Sequence, residues 1–455
     1  MRDSGRLHRL CALLSAIIGI AISQQSSFAG TCPCDIYATG GTPCVAAHST
    51  VRALYSTYNG PLYQVTRKSD SKTKDIGVLS PGGLANSAAQ DSFLTGTTGS
   101  ISIIYDQSGQ GNHLYPAPSG NWPPAETAAA ATGAKIMMNG HTVYGIYTTA
   151  GNFPNNTLVA GVGYRNNKAT GLATGNQPEG MYMVCSGTHY NQWCCFDYGN
   201  AEANDTDDGN ATMECIYFGS STQWGHGDTL PTKGPWVMAD LENGLFAGGT
   251  SGTNNGNTPI AASYVTGMVK GDSGNRYAIK GGNADSGSLK TMYNGTRPSG
   301  YNPMKKQGAI ILGIGGDNSH TAIGTFFEGA ITTGYPPDST ENAIQANIVA
   351  ARYGSSVTAT RYSVNDEVPV SPVRVHYNPS SGSAVVSYFL QDARRVSMNI
   401  ADLQGRQVAA IFDGVIPAGQ HQAVWNARQV PAGVYVWRIA MDGRDGWSGK
   451  IVIER

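Results

Sequence analysis

The chain has 455 residues, enough for two or three domains, with 30 basic and 31 acidic side chains and a formal net charge of -1. Only 13% of residues are charged and no basic patch stands out, which argues against nucleic acid as a partner; 59 glycines suit a β-rich extracellular protein with many turns. No segment after Ile22 is apolar for long enough to cross a bilayer as a helix.

In chain order, Arg2, Arg6 and Arg9 precede an apolar run from Leu10 to Ile22, and Ser27-Phe28-Ala29 offers small residues at a cleavage site. Residues 1–29 therefore read as a secretory signal peptide, and the product is expected to be secreted. Cys11 lies in that signal. The other seven cysteines are Cys32, Cys34, Cys44, Cys185, Cys194, Cys195 and Cys215, so at least one thiol lacks an intramolecular partner. Cys32 and Cys34 read as disulfide candidates. No CxxC pair or His/Cys spacing suggests a metal, and no cofactor is expected.

Residues 30–356 form one block of short apolar runs, such as "GMYMVCSG", "TMECIYFG" and "GAIILGIGG", separated by Gly/Asn/Ser/Asp turns. That spacing predicts an all-β fold, a β-sandwich. Two helices are predicted within it. One opens at Thr42-Pro43 and runs toward Tyr58; the other opens at Asp338 or Ser339 and closes at Gly354. Residues 357–371 read as a linker ending near Pro369. Residues 372–455 read as a small immunoglobulin-like sandwich with Gly405, Gly419 and Gly433 at turns.

In "GPWVMADLENGLF", strand alternation places Trp236, Met238, Asp240 and Glu242 on one face. Two carboxylates beside an aromatic suit catalysis, although a solvated edge strand gives the same pattern. In "GAIILGIGGDN" an apolar strand ends in Gly315-Gly316, which lets a ligand approach, and Asp317 follows. A turn aspartate is the plainer reading of that residue. Carboxyl groups from different strands suggest glycoside hydrolysis, where one attacks or activates water and the other protonates the leaving oxygen. On composition alone Glu179, Glu202, Glu214 and Glu328 are further candidates. Adjacent Cys194 and Cys195 either pair with each other or bridge separately, for example to Cys185 or Cys215.

Several stretches carry a specific resemblance: "CDIYATGGTPCVAAHSTVRALY", "IIYDQSGQGNHL", "GYRNN", "EGMYMVCSGTHYNQWCCFDYGNAE", "GPWVMADLENGLF" and "GAIILGIGGDNS". Residues about 32–354 resemble the catalytic domain of glycoside hydrolase family 54, the α-L-arabinofuranosidase B type, a concanavalin-like sandwich. The resemblance implies an exo-acting retaining enzyme that removes terminal arabinofuranose from plant cell-wall arabinan and arabinoxylan, with no metal or cofactor. It assigns Glu242 as nucleophile and Asp317 as acid/base. It places Asp240, Asn243, Trp224, Gly316 and a Cys194–Cys195 disulfide around the sugar, and it implies a Cys34–Cys44 bridge. Asp106, Asn112 and His113 read as turn residues first.

The family continues into an arabinose-binding trefoil; this tail instead resembles bacterial immunoglobulin-like modules of the type IX sorting and flagellar-hook-capping kinds. That implies a bacterial, surface-attached product whose tail contacts secretion machinery. A lectin-like sandwich without catalysis is the alternative.

Overall fold

The computed structural model describes residues 31–151, 159–355 and most of 374–453. The signal peptide and the linker predicted from sequence lie outside the described residues. The chain divides into two compact units, Met1–Ala359 and Thr360–Arg455.

The first unit is a sandwich of two antiparallel sheets. One has eight strands in the order Lys290–Thr296, Arg276–Asn283, Tyr264–Gly271, Glu179–Ser186, Gly324–Thr333, His141–Thr148 and Ala134–Met138, with Cys44–Ser49 also paired to Gly324–Thr333. The other runs Leu245–Phe246, Trp236–Asp240, Glu214–Gly219, Asp197–Ala201, Ala309–Leu312, Tyr164–Asn166 and Tyr115–Pro116. Ile216, Phe218, Val237 and Ala239 of the second sheet join Val265, Val269 and Ile279 of the first in one core. The sheets meet closely at Gly267, where a Cβ would lie 3.1 Å from Ile216 and 3.2 Å from Val237. A larger side chain there would push the layers apart.

The helix expected from Thr42 is not formed. Cys44–Ser49 is a strand, buried at all six positions and registered against Ser49↔Glu328 through Cys44↔Thr332. Val45-Ala46-Ala47 carries no 3.6-residue stripe, and burial on both faces suits a strand covered on both sides. The helix lies earlier, at Pro33–Thr39, with proline in its first turn. The Asp35 carboxylate closes its start by accepting from the Cys32 and Ser56 backbone N–H groups at 2.9 and 2.8 Å. The second predicted helix forms at Asp338–Ala350, capped by Pro337 and ending at Ala351. Its Asp338 and Glu341 carboxylates hold the buried Lys270 and Lys280 ammonium groups at 2.6–2.7 Å.

The second unit packs a three-stranded sheet (Arg374–Asn378, Ser383–Leu390, Gly419–Asn426) against a four-stranded one (Gln407–Ile416, Arg394–Ala401, Gly433–Met441, Arg444–Ile453). Val386, Tyr388, Met398, Ile400, Trp425 and Trp437 fill its core. Seven strands in two sheets is the immunoglobulin-like architecture. Gly419 and Gly433 open strands rather than occupying turns, and Gly405 lies outside the described residues.

Candidate active site

The outer face of the seven-stranded sheet carries the site. Along Trp236–Asp240, Val237 and Ala239 enter the sandwich core, while Trp236 and Met238 pack outside with Tyr217, Leu245 and Cys195. Cys194 and Trp224 close the rim of that outer cluster. The predicted alternation therefore holds for Trp236, Met238 and Asp240. It fails for Glu242, because the strand stops at Asp240.

Glu242 instead occupies the turn that returns the chain to Leu245–Phe246. Glu242 and Asn243 have φ of 65° and 56°, and the Leu241 N–H reaches the Gly244 carbonyl at 3.3 Å. Two successive left-handed residues make a type I′ hairpin, which suits Asn and Gly and is strained for glutamate. Such a residue persists at a cost of about 1–3 kcal/mol where its surroundings hold it. Here the Asp240 carboxylate accepts from Glu242 N–H at 3.1 Å, Tyr301 O–H donates to the Asn243 carbonyl at 3.0 Å, and Asn243 Nδ2 donates to Asp207 at 3.0 Å.

Asp317 lies on the loop after the central strand Ala309–Leu312. Its Oδ1 accepts from Ser319 N–H at 2.9 Å, and its Oδ2 accepts from the indole N–H of the exposed Trp122 at 2.7 Å. Gly315 and Gly316 bring this loop against the hairpin. A Cβ on Gly315 would lie 3.4 Å from Asp317 Oδ1 and 3.5 Å from Cys195 Sγ. A Cβ on Gly316 would overlap Glu202 Oε2 and lie 2.7 Å from Glu242 Oε2. The glycine pair is thus where Asp317, Cys195, Glu202 and Glu242 converge.

Cys194 and Cys195 are joined to each other, across a cis peptide bond, and Cys34 is joined to Cys44. Both sulfurs of the adjacent pair face Asp240 Oδ2, at 3.7 and 3.2 Å. These three donors cluster tightly enough for a metal, but disulfide sulfur offers no thiolate to bind one. Cys185 and Cys215 are buried thiols, and Cys32 sits with its sulfur 3.8 Å from the Gly82 carbonyl.

The carboxyl groups form two pairs. Asp197, on the strand beside Glu214–Gly219, feels the charge of Asp240 most after burial, and Glu202 Oε2 and Glu242 Oε2 crowd one point beside Gly316. Burial, then the charges of Glu202, Asp240 and Asp317, push Glu242 up to about 11. Burial is also the main cause that lifts Asp240 to about 7 and Asp197 well above the carboxylate range. A cluster so perturbed in a cleft is the mark of a functional site.

Arg165, on the strand Tyr164–Asn166, ties the two halves together. Its Nη1 donates to the Gly316 carbonyl at 2.6 Å and to Asn318 Oδ1 at 3.0 Å, and its Nη2 donates to the Glu202 carbonyl. Arg165, Asp197, Thr212 and Trp122 were not singled out by sequence reasoning. Arg165 offered one signal, a charge in the quoted stretch "GYRNN" on a short strand; Trp122, in a Pro-rich loop, offered none.

The remaining candidate glutamates are scaffold. Glu179 and Glu214 share Lys306, each at 2.9 Å, and Glu214 also meets Arg297 at 3.0 Å. Glu328 takes both ends of the Arg52 guanidinium at 2.5 and 2.6 Å. Asp106 organises its loop as expected, accepting from Ala47, Ser108 and Asn112 backbone N–H groups at 2.9–3.0 Å. Asn112 and His113 serve the same loop.

Residues 33–354 match the family described as "Alpha-L-arabinofuranosidase B, catalytic". A probable α-L-arabinofuranosidase B of Aspergillus fumigatus is 56% identical over 349 residues, 75% of this chain and 66% of that protein. The chain thus spans about two thirds of that relative's length. A mutant family 54 α-L-arabinofuranosidase soaked with 4-nitrophenyl α-L-arabinofuranoside is similar with a TM-score of 0.67 and 48% identity, covering 80% of this chain and 73% of that one. An arabinofuranosidase complexed with arabinofuranosyl-α-1,2-xylobiose is similar with a TM-score of 0.67 and 46% identity, covering 85% and 74%. The chain belongs to glycoside hydrolase family 54, the α-L-arabinofuranosidase B family.

Proposed function

We propose that this chain is an exo-acting, retaining α-L-arabinofuranosidase. The observation that carries the reading is the convergence of Glu242 and Asp317 at Gly315-Gly316, beside the paired cysteines and Trp224. Glu242 attacks the anomeric carbon while Asp317 gives its proton to the leaving oxygen. Water then enters, Asp317 takes its proton, and arabinose leaves with its configuration kept. Asp240 and Asn243 bind sugar hydroxyls, and the disulfide and Trp224 pack against the furanose.

The substrate proposed is a terminal arabinofuranosyl side chain on a plant cell-wall polysaccharide or oligosaccharide. The arabinofuranosyl-xylobiose bound by the relative supports an arabinoxylan fragment among these. We further propose export through residues 1–29, and an accessory or sorting role for residues 372–455, in contact with secretion machinery. Deleting residues after 363 then leaves a folded, active enzyme; loss of soluble protein would mean that the two units share stability.

The test of the activity is release of 4-nitrophenol from 4-nitrophenyl α-L-arabinofuranoside, with NMR of the product formed in methanol. The expected product is the α-methyl arabinofuranoside, and Glu242→Gln is expected to lose turnover with its fold intact. An inverted product, binding without release as in a lectin, or near-parental activity of Glu242→Gln would overturn the proposal.

A further inference from the structure

Trp122 is the most exposed tryptophan of the first unit, at 41%; Trp193 and Trp224 are half-buried and Trp236 is buried. It is nonetheless held. Its indole N–H donates to Asp317 Oδ2 at 2.7 Å, and its backbone N–H reaches the Asp317 carbonyl at 3.4 Å. The ring is therefore fixed at its polar edge while much of its apolar surface stays open to solvent.

The loop around it is built onto the Asp317 loop. Asn318 Nδ2 donates to the Pro118 carbonyl at 2.7 Å, and buried Glu126 meets buried His320 at 2.5 Å. A Cβ on Gly120 would lie 2.5 Å from the Asp205 carbonyl and 2.7 Å from Asn318 Nδ2, so the backbone passes there at a distance only glycine allows. Asn121 N–H donates to the Asp205 carbonyl at 3.0 Å, and Asn121 Oδ1 accepts from Asp207 N–H at 3.0 Å. Asp207 also accepts from Asn243, beside Glu242. Trp122 thus shares a framework with both reacting carboxyl groups.

The two oxygens of Asp317 face different ways. A Cβ on Gly315 would lie 3.4 Å from Oδ1 and 3.5 Å from Cys195 Sγ, so Oδ1 is on the disulfide side, and Trp122 binds the other oxygen. The arabinose packs against the disulfide. The unit bonded to the leaving oxygen begins one covalent bond from the atom that Asp317 protonates. A ring hydrogen-bonded to Asp317 therefore stands beside that unit rather than beside the arabinose.

We propose that Trp122 forms the leaving-group subsite: its indole N–H aims Asp317, and its open ring face receives the sugar ring on the far side of the bond to be cut. This rests on Asp317 being the acid/base. As the glycosidic C–O bond breaks, the Asp317 proton passes to the leaving oxygen. The carboxylate so formed is met by Trp122 N–H on Oδ2 and by Ser319 N–H on Oδ1, and it regains a proton from the water that releases the arabinosyl ester. Donors that strengthen as charge develops favour the transition state over the bound substrate. The C–H face of a sugar ring packs on an indole, a contact that a methyl leaving group is too small to make.

Three α-L-arabinofuranosides separate the two roles. Arabinofuranosyl-xylobiose offers a ring and needs the proton, the methyl glycoside needs the proton and offers no ring, and the 4-nitrophenyl glycoside needs little proton donation. Trp122→Phe keeps a ring without the donor. Its kcat is expected to fall about tenfold on the first two substrates and to stay within about twofold on the third. Trp122→Ala removes the ring as well. It is expected to raise KM about tenfold for arabinofuranosyl-xylobiose while KM for the methyl glycoside stays within about twofold of the parent. An unchanged KM for arabinofuranosyl-xylobiose, or an equal rise for both substrates, would overturn the subsite. A parental kcat of Trp122→Phe on the methyl glycoside, or an equal fall on the 4-nitrophenyl glycoside, would overturn the aiming of Asp317. Parental turnover of the methyl glycoside by Asp317→Asn would instead remove the acid/base assignment beneath both.

Discussion

Replacing Gly316 by alanine tests whether the glycine pair sets the catalytic spacing. The new methyl would overlap Glu202 Oε2 and lie 2.7 Å from Glu242 Oε2, against ordinary contact of 3.4 Å or more. Neither neighbour can simply rotate away. Thr212 holds the other oxygen of Glu202, and Glu242 sits on a hairpin pinned by Asp240. Nor can the loop easily retreat, because Arg165 holds the Gly316 carbonyl at 2.6 Å. Overpacking of this kind costs about 1–3 kcal/mol, which at roughly 2–4 °C per kcal/mol lowers Tm by several degrees. Catalysis is more sensitive, since displacing a reacting group by about 1 Å costs on the order of 10²-fold. The assay is steady-state release of 4-nitrophenol, paired with thermal melting. The expected signature is a kcat fall of that order with a Tm loss small enough for the protein to remain folded. A kcat within about threefold of the parent, at unchanged Tm, would refute the reasoning, because a methyl would then fit where the structure leaves no room.

Removing the adjacent disulfide by Cys194→Ala with Cys195→Ala constrains almost no loop, so Tm is expected to stay within a few degrees while KM rises; peptide mapping that links either cysteine to Cys185 or Cys215 would refute the pairing. Trp122→Phe removes the 2.7 Å donation to Asp317 and is expected to cost about tenfold in kcat on an arabino-oligosaccharide but less on the aryl glycoside, whose leaving group needs little proton donation. Burial alone would raise Glu214, but Lys306 and Arg297 bring it down to about 2. Its folded value is below its unfolded one, so its stability contribution is present above the usual carboxylate range and is lost as pH falls toward 2. Lys306→Met is expected to cost about 3–5 kcal/mol and to flatten that acid-side loss of Tm; an unchanged pH dependence would contradict the assignment.

What was legible in the sequence follows from what each residue signals alone. The alternation of Trp236, Met238 and Asp240 was readable because a strand two layers deep must send successive side chains to opposite faces. The turn at Glu242 was not readable in the same way. The pattern Asn243-Gly244 invites a hairpin centred one residue later, and only the fold puts Glu242 at positive φ. The strand at Cys44–Ser49 was misread because proline after a polar residue marks both helix starts and loop ends. The roles of Glu242 and Asp317 came from resemblance, since in sequence they are a turn glutamate and a turn aspartate. Asp197 and Thr212 gave no usable signal, and Arg165 only its charge in "GYRNN", because a buried polar residue acquires meaning only through partners far away in the chain.

The two buried carboxyl groupings in this domain show how the same residue types become scaffold or chemistry. Glu179 and Glu214 are matched by Lys306 and Arg297 in direct contact, so their charge is neutralised by fixed cations. Such an arrangement resists change, as removal of any member leaves an unpaired buried charge. Asp197, Glu202, Asp240 and Glu242 meet no cation in that way; Arg165, the guanidinium beside them, is turned toward backbone carbonyls, Asn318 and Asp205. Burial and their mutual repulsion instead raise Asp197, Asp240 and Glu242 above the usual carboxylate range, so that protons rather than cations relieve their charge. A proton can leave as charge develops on a substrate, whereas a lysine cannot. A lysine placed against Glu242 would keep it ionised but would bind the nucleophile tightly in the ground state, raising the barrier to attack. Relief by protons leaves Glu242 free of a fixed cation and still prevents adjacent buried charges, which is the electrostatic condition a glutamate nucleophile in this hairpin has to meet.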